Sequence, residues 1–363
     1  MELSDLLDEL VKLGVKNETI RDNYIKAYKI VNNPDYNVVV CSISGGSDSD
    51  IMLDIIHRVD YQKKVRYVWF NSGMEYQATK DHLDYLEKRY NIKIERHRAI
   101  KPIPLAVRQH GQPFLSKLVS NRLHKLQLKG FQFEDDTFEN LIEKYCYEVP
   151  KGTRWAVEVR GKYYKGAVDV IKWWCNKFGT GDSGFSRFNI NRNKYLKEFM
   201  IKNPPTFDIN NSCCDYSKKN PAKKFRKEVN CDLNIIGVRK AEGGIRATAY
   251  KNCFTENEDK NDEYRPLFFY LDKDKKDYER YFDIRHSDCY EKWGFKRTGC
   301  VGCPYNINIL QELETVENEE PKLAKACKNV FKDSYEYTRQ YRQFVAEMKR
   351  KEKGHKKLFD VRK

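Results

Sequence analysis

Six consecutive residues combine types suited to holding an anion: Ser44, Gly45, Gly46, Ser47, Asp48 and Ser49, directly after the apolar run NVVVCSI at 37–43. Paired glycines let backbone N–H groups converge on a phosphate with no Cβ in the way. The run that follows, SDIMLDIIHRV at 49–59, reads as a helix whose positive N-terminus faces the same anion. Ser44, Ser47 and Ser49 add hydroxyl donors. Asp48 would repel a bare phosphate, but it suits a Mg²⁺ ligand or a helix cap. The P-loop of ordinary nucleoside triphosphatases requires a lysine and Ser/Thr after its last glycine, and neither stands here. The plain alternative is a tight turn in which Asp48 and Ser49 only satisfy backbone amides.

Four cysteines form a second group. Cys213 and Cys214 are adjacent, and Cys300 and Cys303 make a C-x-x-C followed by Pro304. Four thiolates can hold a structural zinc or an iron–sulfur cluster. Adjacent cysteines diverge from the backbone, which suits a cube of separate irons better than one small ion. Lys218 and Lys219 either balance the charge of such a cluster or are solvated. The alternative is a buried Cys-Cys pair with no metal. All eleven cysteines are expected to be free of disulfides in a reducing compartment.

A third group is Arg239, Glu242 and Arg246 in IIGVRKAEGGIR. Two guanidiniums past a strand end can hold phosphate or sulfate bidentately, with Glu242 fixing one of them. The competing reading is a surface ion-pair cluster.

The surrounding elements decide whether these groups meet. Apolar spacing predicts helices over 2–13 and 18–31. NVVVCSIS, KKVRYVWFNSG, NIKIERHRA and CDLNIIGVRK read as strands, with helices SDIMLDIIHRV and ATKDHLDYLEKRY between the first three. This alternation predicts an α/β fold, a mainly parallel twisted sheet with flanking helices. Ligands in such sheets sit at the carboxyl ends of the strands. There Ser44–Ser49, then Asn71, Ser72 and Gly73, and then Arg239 are expected to line one crevice.

The division expected along the chain is N-terminal helices at 1–35, a nucleotide-binding half at 36–103 and a mostly helical insertion with a hairpin at 104–205. The rest of the α/β domain with its metal-binding cysteines follows at 206–310, then a helical basic tail at 311–363. Within the insertion, RWAVEVRGKYYKG reads as a hairpin, AVDVIKWWCNKF as an amphipathic helix, and 178–192 as a glycine-rich, basic and aromatic loop. The net charge of +15 over 363 residues fits a polyanionic partner, nucleic acid first, or a lysine-rich composition without functional meaning. No apolar run reaches the length of a membrane span, and the acidic, amphipathic start is unlike a signal peptide. A cytoplasmic protein with no membrane partner is expected.

The six loop residues resemble the Ser-Gly-Gly-X-Asp-Ser signature of the PP-loop, or N-type ATP pyrophosphatase, superfamily, with its HUP-type fold. The resemblance implies that ATP is bound by its pyrophosphate end, with Mg²⁺, and cleaved between the α- and β-phosphates. Many relatives carry lysine at X; here X is Ser47, so one positive charge must come from elsewhere. The cysteine pattern is similar to that of the phosphoadenosine phosphosulfate (PAPS) and adenosine phosphosulfate reductase family, some members of which bind a [4Fe–4S] cluster. WFNSGMEYQATKDHL, with Glu75 and Thr79, resembles that family's second-strand segment. IIGVRKAEGGIR and YEKWGFKRTGCVGCP resemble two more of its segments. The similarity covers about 37–100 and 207–306. It implies an adenine nucleotide on Ser44–Ser49, Asn71, Ser72, Gly73, Glu75, Arg239, Glu242 and Arg246. Asp48, Arg239 and Arg246 are implied as catalytic, and Cys213, Cys214, Cys300 and Cys303 as ligands of a [4Fe–4S] cluster, with zinc as the alternative.

Two departures shape the expected function. The reductases resemble each other in a C-terminal Glu-Cys-Gly-Leu-His, whereas this chain ends GHKKLFDVRK. Cys327, in the helix-like LAKACKNVF, reads as buried. The loop signature, commonly degraded in reductases, is intact. Both departures favour ATP as substrate and an adenylating enzyme similar to tRNA thiolases and to the ATP pyrophosphatase of DNA phosphorothioation. Such an enzyme acts in sulfur transfer to nucleic acid, DNA or tRNA, with a cysteine desulfurase or another sulfur donor as partner. The alternatives are a sulfonucleotide reductase and a non-catalytic nucleotide- or nucleic-acid-binding component of a larger complex.

Overall fold

The computed structural model describes residues 2–149, 159–160, 162–179, 186, 188–243, 248–257 and 261–360. In chain order the strands among them are β1 (Val39–Ile43), β2 (Val65–Asn71), β3 (Ile94–Arg98), β4 (Val159–Arg160), β5 (Tyr163–Tyr164), β6 (Leu233–Ile236), β7 (Phe254–Thr255) and β8 (Asp262–Tyr264). The chain packs as two compact units. The first comprises Met1–Ile103, Cys214–Val301 and Gln311–Leu323; the second comprises Pro104–Cys213, Gly302–Leu310 and Ala324–Lys363.

The first unit is the expected α/β layer structure. Its sheet runs β3-β2-β1-β6-β8-β7, parallel throughout except for β7 against β8. The β-branched run of β1 is buried on both faces, as a central parallel strand must be. Val39, Cys41 and Ile43 point into one core, shared with helices Leu3–Lys12, Glu18–Val31, Ser47–Val59 and Asp272–Tyr281. Val40 points into the other, with Val68, Phe225 and Cys231. This alternation is the strand period of two. Helix Ser47–Val59 is apolar on much of its circumference, and Ile51, Met52, Leu53, Ile55 and Ile56 are all fully buried. Trimming one of these to alanine would cost about 2–5 kcal/mol.

Register brings the ends of β1, β2 and β6 level. Ile43 pairs with Trp69, and Ser42 with Ile236. The chain therefore leaves β1, β2 and β6 at one edge of the sheet. Strand order reverses between β1 and β6, and a crevice opens at that position in doubly wound sheets.

The second unit is mostly helical. Helices Lys117–Gln127, Phe138–Tyr145, Lys165–Trp174, Leu196–Lys202 and Lys332–Asp360 surround an aromatic core that includes Phe114, Trp173, Trp174 and Phe199. Tyr337 and Tyr341, one helical turn apart, enter that core. Their hydroxyls donate to the carbonyls of Asn203 (2.6 Å) and Lys194 (2.8 Å), so neither buries an unpaired polar group. The expected hairpin is present where it is described, as the antiparallel pair β4–β5. Most of the 178–192 loop between Thr180 and Arg187 lies outside the described residues. No helix among the described residues is long and apolar enough to cross a membrane.

Candidate active site

The loop at 44–49 is built by its own hydroxyls. The Ser44 N–H donates to Ser49 Oγ at 2.9 Å, and the Gly46 N–H donates to Ser44 Oγ at 3.3 Å. Gly45 adopts φ +68°, and a Cβ there would lie 2.6 Å from Thr79 Cγ2, so both conformation and space demand glycine. Gly46 is the N-cap of helix Ser47–Val59, and no side chain caps that helix start. The first-turn amides of a helix have no intrahelical acceptor.

Asp48 does not take the capping role. Its Oδ2 accepts from Arg239 Nε at 2.9 Å and its Oδ1 from Lys275 Nζ at 2.9 Å. Burial pushes this carboxyl up, but Lys275 and Arg239 more than offset it and hold the group below its ordinary range. Arg239 also donates to Asp272 Oδ1 at 2.8 Å. Burial disfavours its charge, and the bonds to Asp272 and Asp48 raise its pKa nonetheless. The carboxylates that hold Arg239 are thus Asp48 and Asp272. Glu242 lies in the single turn Lys240–Glu242 that follows. Lys275 donates in addition to Ser47 Oγ at 2.5 Å. Sequence reasoning missed both Lys275 and Asp272. They belong to the charged run DKDKKDYER at 272–280, in which nothing about residue type sets Lys275 apart.

Two further elements close on the loop. A Cβ on Gly46 would meet Tyr290 Oη at 3.2 Å and Thr298 Oγ1 at 3.5 Å, and these two hydroxyls bond each other at 2.8 Å. Past the end of β6, Gly237 approaches Ser49, with 3.6 Å from its would-be Cβ to Ser49 Cα. Behind the loop Asp50 is fully buried. Its Oδ2 lies 3.0 Å from His82 Nε2 and 2.7 Å from His286 Nδ1. The second ring nitrogen of His286 is 2.9 Å from Glu279 Oε1. Burial opposes a charge on His286, but Asp50 and Glu279 outweigh it, and its pKa is pushed up to about 9. An imidazolium donating from both nitrogens satisfies this arrangement.

At the end of β2, Asn71 Oδ1 accepts from the Gly73 N–H at 2.8 Å. Gly73 has φ +83° and leaves no room for a Cβ beside Pro102. Buried Ser72 donates to Glu75 Oε1 at 2.5 Å. Lys218 Nζ lies 3.4 Å from the same oxygen and hydrogen-bonds the Cys300 thiol. Burial raises the Cys300 pKa, Lys218 offsets this only in part, and Glu75 and Cys214 add to the rise. Glu75 is therefore tied to the thiol neighbourhood through Lys218. Arg246 lies outside the described residues.

Cys214 and Cys300 belong to the first unit, Cys213 and Cys303 to the second, and none of the eleven cysteines is in a disulfide. Among the described residues, no group of three or more His, Cys, Asp or Glu side chains is arranged to hold a metal ion. Cys327 is fully buried, as expected. It packs against Gly302 of the C-x-x-C, whose would-be Cβ lies 2.8 Å from both Cys327 Cβ and Cys327 Sγ.

The family model described as the phosphoadenosine phosphosulfate reductase domain matches residues 38–126 and 184–306, more than half of the chain. Among solved structures, the chain is similar to phosphoadenylyl-sulfate (PAPS) reductase from Candida auris in a phosphate complex, at 13% identity and TM-score 0.37, covering 81% of this chain and 93% of that one. It is also similar to the U34-tRNA thiolase NcsA from Methanococcus maripaludis with its [4Fe-4S] cluster, at 12% identity and TM-score 0.35, covering 91% and 81%. Likenesses at these scores carry no argument about function. No curated protein matches the chain.

Proposed function

Because the chain belongs to the phosphoadenosine phosphosulfate reductase domain family, a family of enzymes, we propose that it binds ATP at residues 44–49 and activates an oxygen for sulfur transfer to a nucleic acid. An acceptor oxygen attacks the α-phosphorus, the bond between that phosphorus and the bridging oxygen to the β-phosphate breaks, and pyrophosphate leaves. The outer sulfur of a persulfide, loaded by a cysteine desulfurase or another donor, then attacks the atom that bore the adenylated oxygen, and that oxygen departs with AMP. A second thiol of the donor cleaves the resulting disulfide, which releases the thiolated product and leaves the donor oxidised to a disulfide. Arg239, bonded to Asp48 beside the loop, would stabilise the departing pyrophosphate. A Mg²⁺ ion would share that charge and free Asp48 from part of its pairing.

The observation that carries this reading is the intact six-residue loop at a parallel strand's carboxyl end. It stands beside the reversal in strand order, with an uncapped helix start and the Arg239 guanidinium held next to it. The basic balance of the chain supports a polyanionic acceptor, tRNA or DNA. The cysteine spacing supports a [4Fe–4S] cluster on Cys213, Cys214, Cys300 and Cys303. No step of the reaction is assigned to it.

The test is incubation of the full chain with ATP and Mg²⁺, with and without tRNA or duplex DNA, reading pyrophosphate and AMP. Release that depends on the nucleic acid is the expected result. A chain that neither binds adenine nucleotide nor releases pyrophosphate refutes the proposal. The family description favours a second reading, reduction of a sulfonucleotide, which predicts sulfite release from PAPS with thioredoxin. Cys327, sealed against Gly302, is not poised for that attack.

A further inference from the structure

Ser47 brings no charge to the loop, and neither do the glycines and serines around it, while Asp48 brings a negative one. A polyphosphate entering such a loop needs a cation that the loop does not contain. Helix Asp272–Tyr281 delivers one from far along the chain. Lys275 Nζ bonds Ser47 Oγ at 2.5 Å and Asp48 Oδ1 at 2.9 Å, so its ammonium rests on the first turn of helix Ser47–Val59. Its side chain is 17% exposed, enough to keep one face towards solvent. The neighbouring carboxylate of Glu279 is farther away, at 3.8 Å, and is already engaged by His286 at 2.9 Å.

We propose that Lys275 is the cation of this phosphate loop: it contacts the part of a nucleoside triphosphate beyond the first phosphate and makes the site prefer triphosphates to monophosphates. This rests on the nucleotide reading of residues 44–49. Asp48 then acts as a positioning residue. It holds the ammonium of Lys275 and the guanidinium of Arg239 side by side before the ligand arrives, so little conformational freedom is lost on binding. A triphosphate tail bears more charge than one aspartate, and Lys275 moves onto it by a small rotation while staying bonded to Ser47.

The experiment titrates the full chain with ATP, AMP and adenosine, for the wild type, Lys275→Gln and Lys275→Arg. Glutamine keeps a hydrogen bond to Ser47 without the charge, and thermal melts confirm that each variant folds. Expected is a loss of about 10- to 100-fold in ATP affinity for Lys275→Gln, the size of one charge-assisted hydrogen bond. AMP and adenosine should stay within about two-fold and Lys275→Arg should recover most of the loss, because the effect depends on charge facing the outer phosphates. Equal losses for ATP, AMP and adenosine would reduce Lys275 to a structural strut and overturn the proposal, as would unchanged ATP affinity. A wild-type chain that binds none of the three overturns the nucleotide reading itself. A failure of the Lys275 inference alone therefore looks different. Should Lys275→Gln not fold, the same titration with Lys275→Met decides between the same outcomes.

Discussion

His286 offers a quantitative test of how the ground behind the loop is held. Its ring lies between Asp50, at 2.7 Å, and Glu279, at 2.9 Å, with His82 on the same oxygen of Asp50 at 3.0 Å. The pKa rises from an ordinary 6.5 to about 9. The folded protein therefore keeps a proton that the unfolded chain loses between those values. Stability from this proton is fully present below about pH 6.5, falls as pH rises, and is gone above about pH 9. Each pKa unit is worth about 1.4 kcal/mol, so the drop is on the order of 3 kcal/mol. The assay is urea unfolding of the wild type and of His286→Gln at a series of pH values from about 6 to about 9.5. Cysteines and other groups titrate in both proteins, so the difference between the two curves isolates His286. That difference should shrink by about 3 kcal/mol from the acid to the alkaline end. Parallel curves would show that the imidazole is not charged between its two carboxylates, and the reasoning would fail.

Other expectations follow from the same contacts. Gly45→Ala should destabilise the fold by about 1–3 kcal/mol through positive φ and collision with the Thr79 methyl; adding Thr79→Ser should recover the collision but not the backbone strain, as a double-mutant cycle in urea would show. Gly130 and Gly302 have nearly the same φ, +65° and +63°, yet Gly130 faces open space and Gly302 faces Cys327 and Tyr335. Alanine at 130 should therefore cost about 1 kcal/mol and alanine at 302 roughly 1–3 kcal/mol more, as read from their unfolding midpoints. Anaerobic purification should give a brown protein with about four irons per chain if the four cysteines hold a cluster; one zinc and no colour would make them a structural clamp. Binding to tRNA or DNA should weaken steeply with salt, by nearly one power of salt concentration per phosphate contact, and a flat salt dependence would count against a nucleic-acid acceptor.

The parts of the fold that could be read in the sequence are those whose signals are local. Helix Glu18–Val31 occupies the stretch its apolar spacing marked, and β1 lies within the β-branched run. The loop at 44–49 was legible as a turn between a strand and a helix because paired glycines stand between an apolar run and a helical one. Lys275 was not, because its partner Asp48 is 227 residues away and only the packing of helix Asp272–Tyr281 brings them together. Asp50 and Asp54 are a second case. By type they belong on a solvent face, yet both are fully buried. Asp54 is held by hydroxyls of Tyr90 and Tyr278 and by Arg58, Asp50 by His82 and His286. Burial of a charge depends on partners gathered from distant segments, which no local pattern reveals. The cysteines are the converse: their spacing is conspicuous along the chain, whereas their meeting depends on packing that no local pattern sets.

The pairing of β1 with β6 joins Val39–Ser42 to Leu233–Ile236, and this has a cost in time. About 190 residues separate the two strands, most of them belonging to the second unit. A ribosome adding about 5–20 residues per second needs roughly 10–40 s to cross that interval. Throughout it the nascent chain can already join β1 to β2, but the other side of β1 has no mate. That side is the uncharged, proline-free run VVCSI, a template for pairing with a neighbouring chain. The strand that leads into residues 44–49 is thus open to misassembly during synthesis. Pausing translation between residues 104 and 213 should prolong that exposure and increase the aggregated fraction, while a holding chaperone supplied in the same window should reduce it.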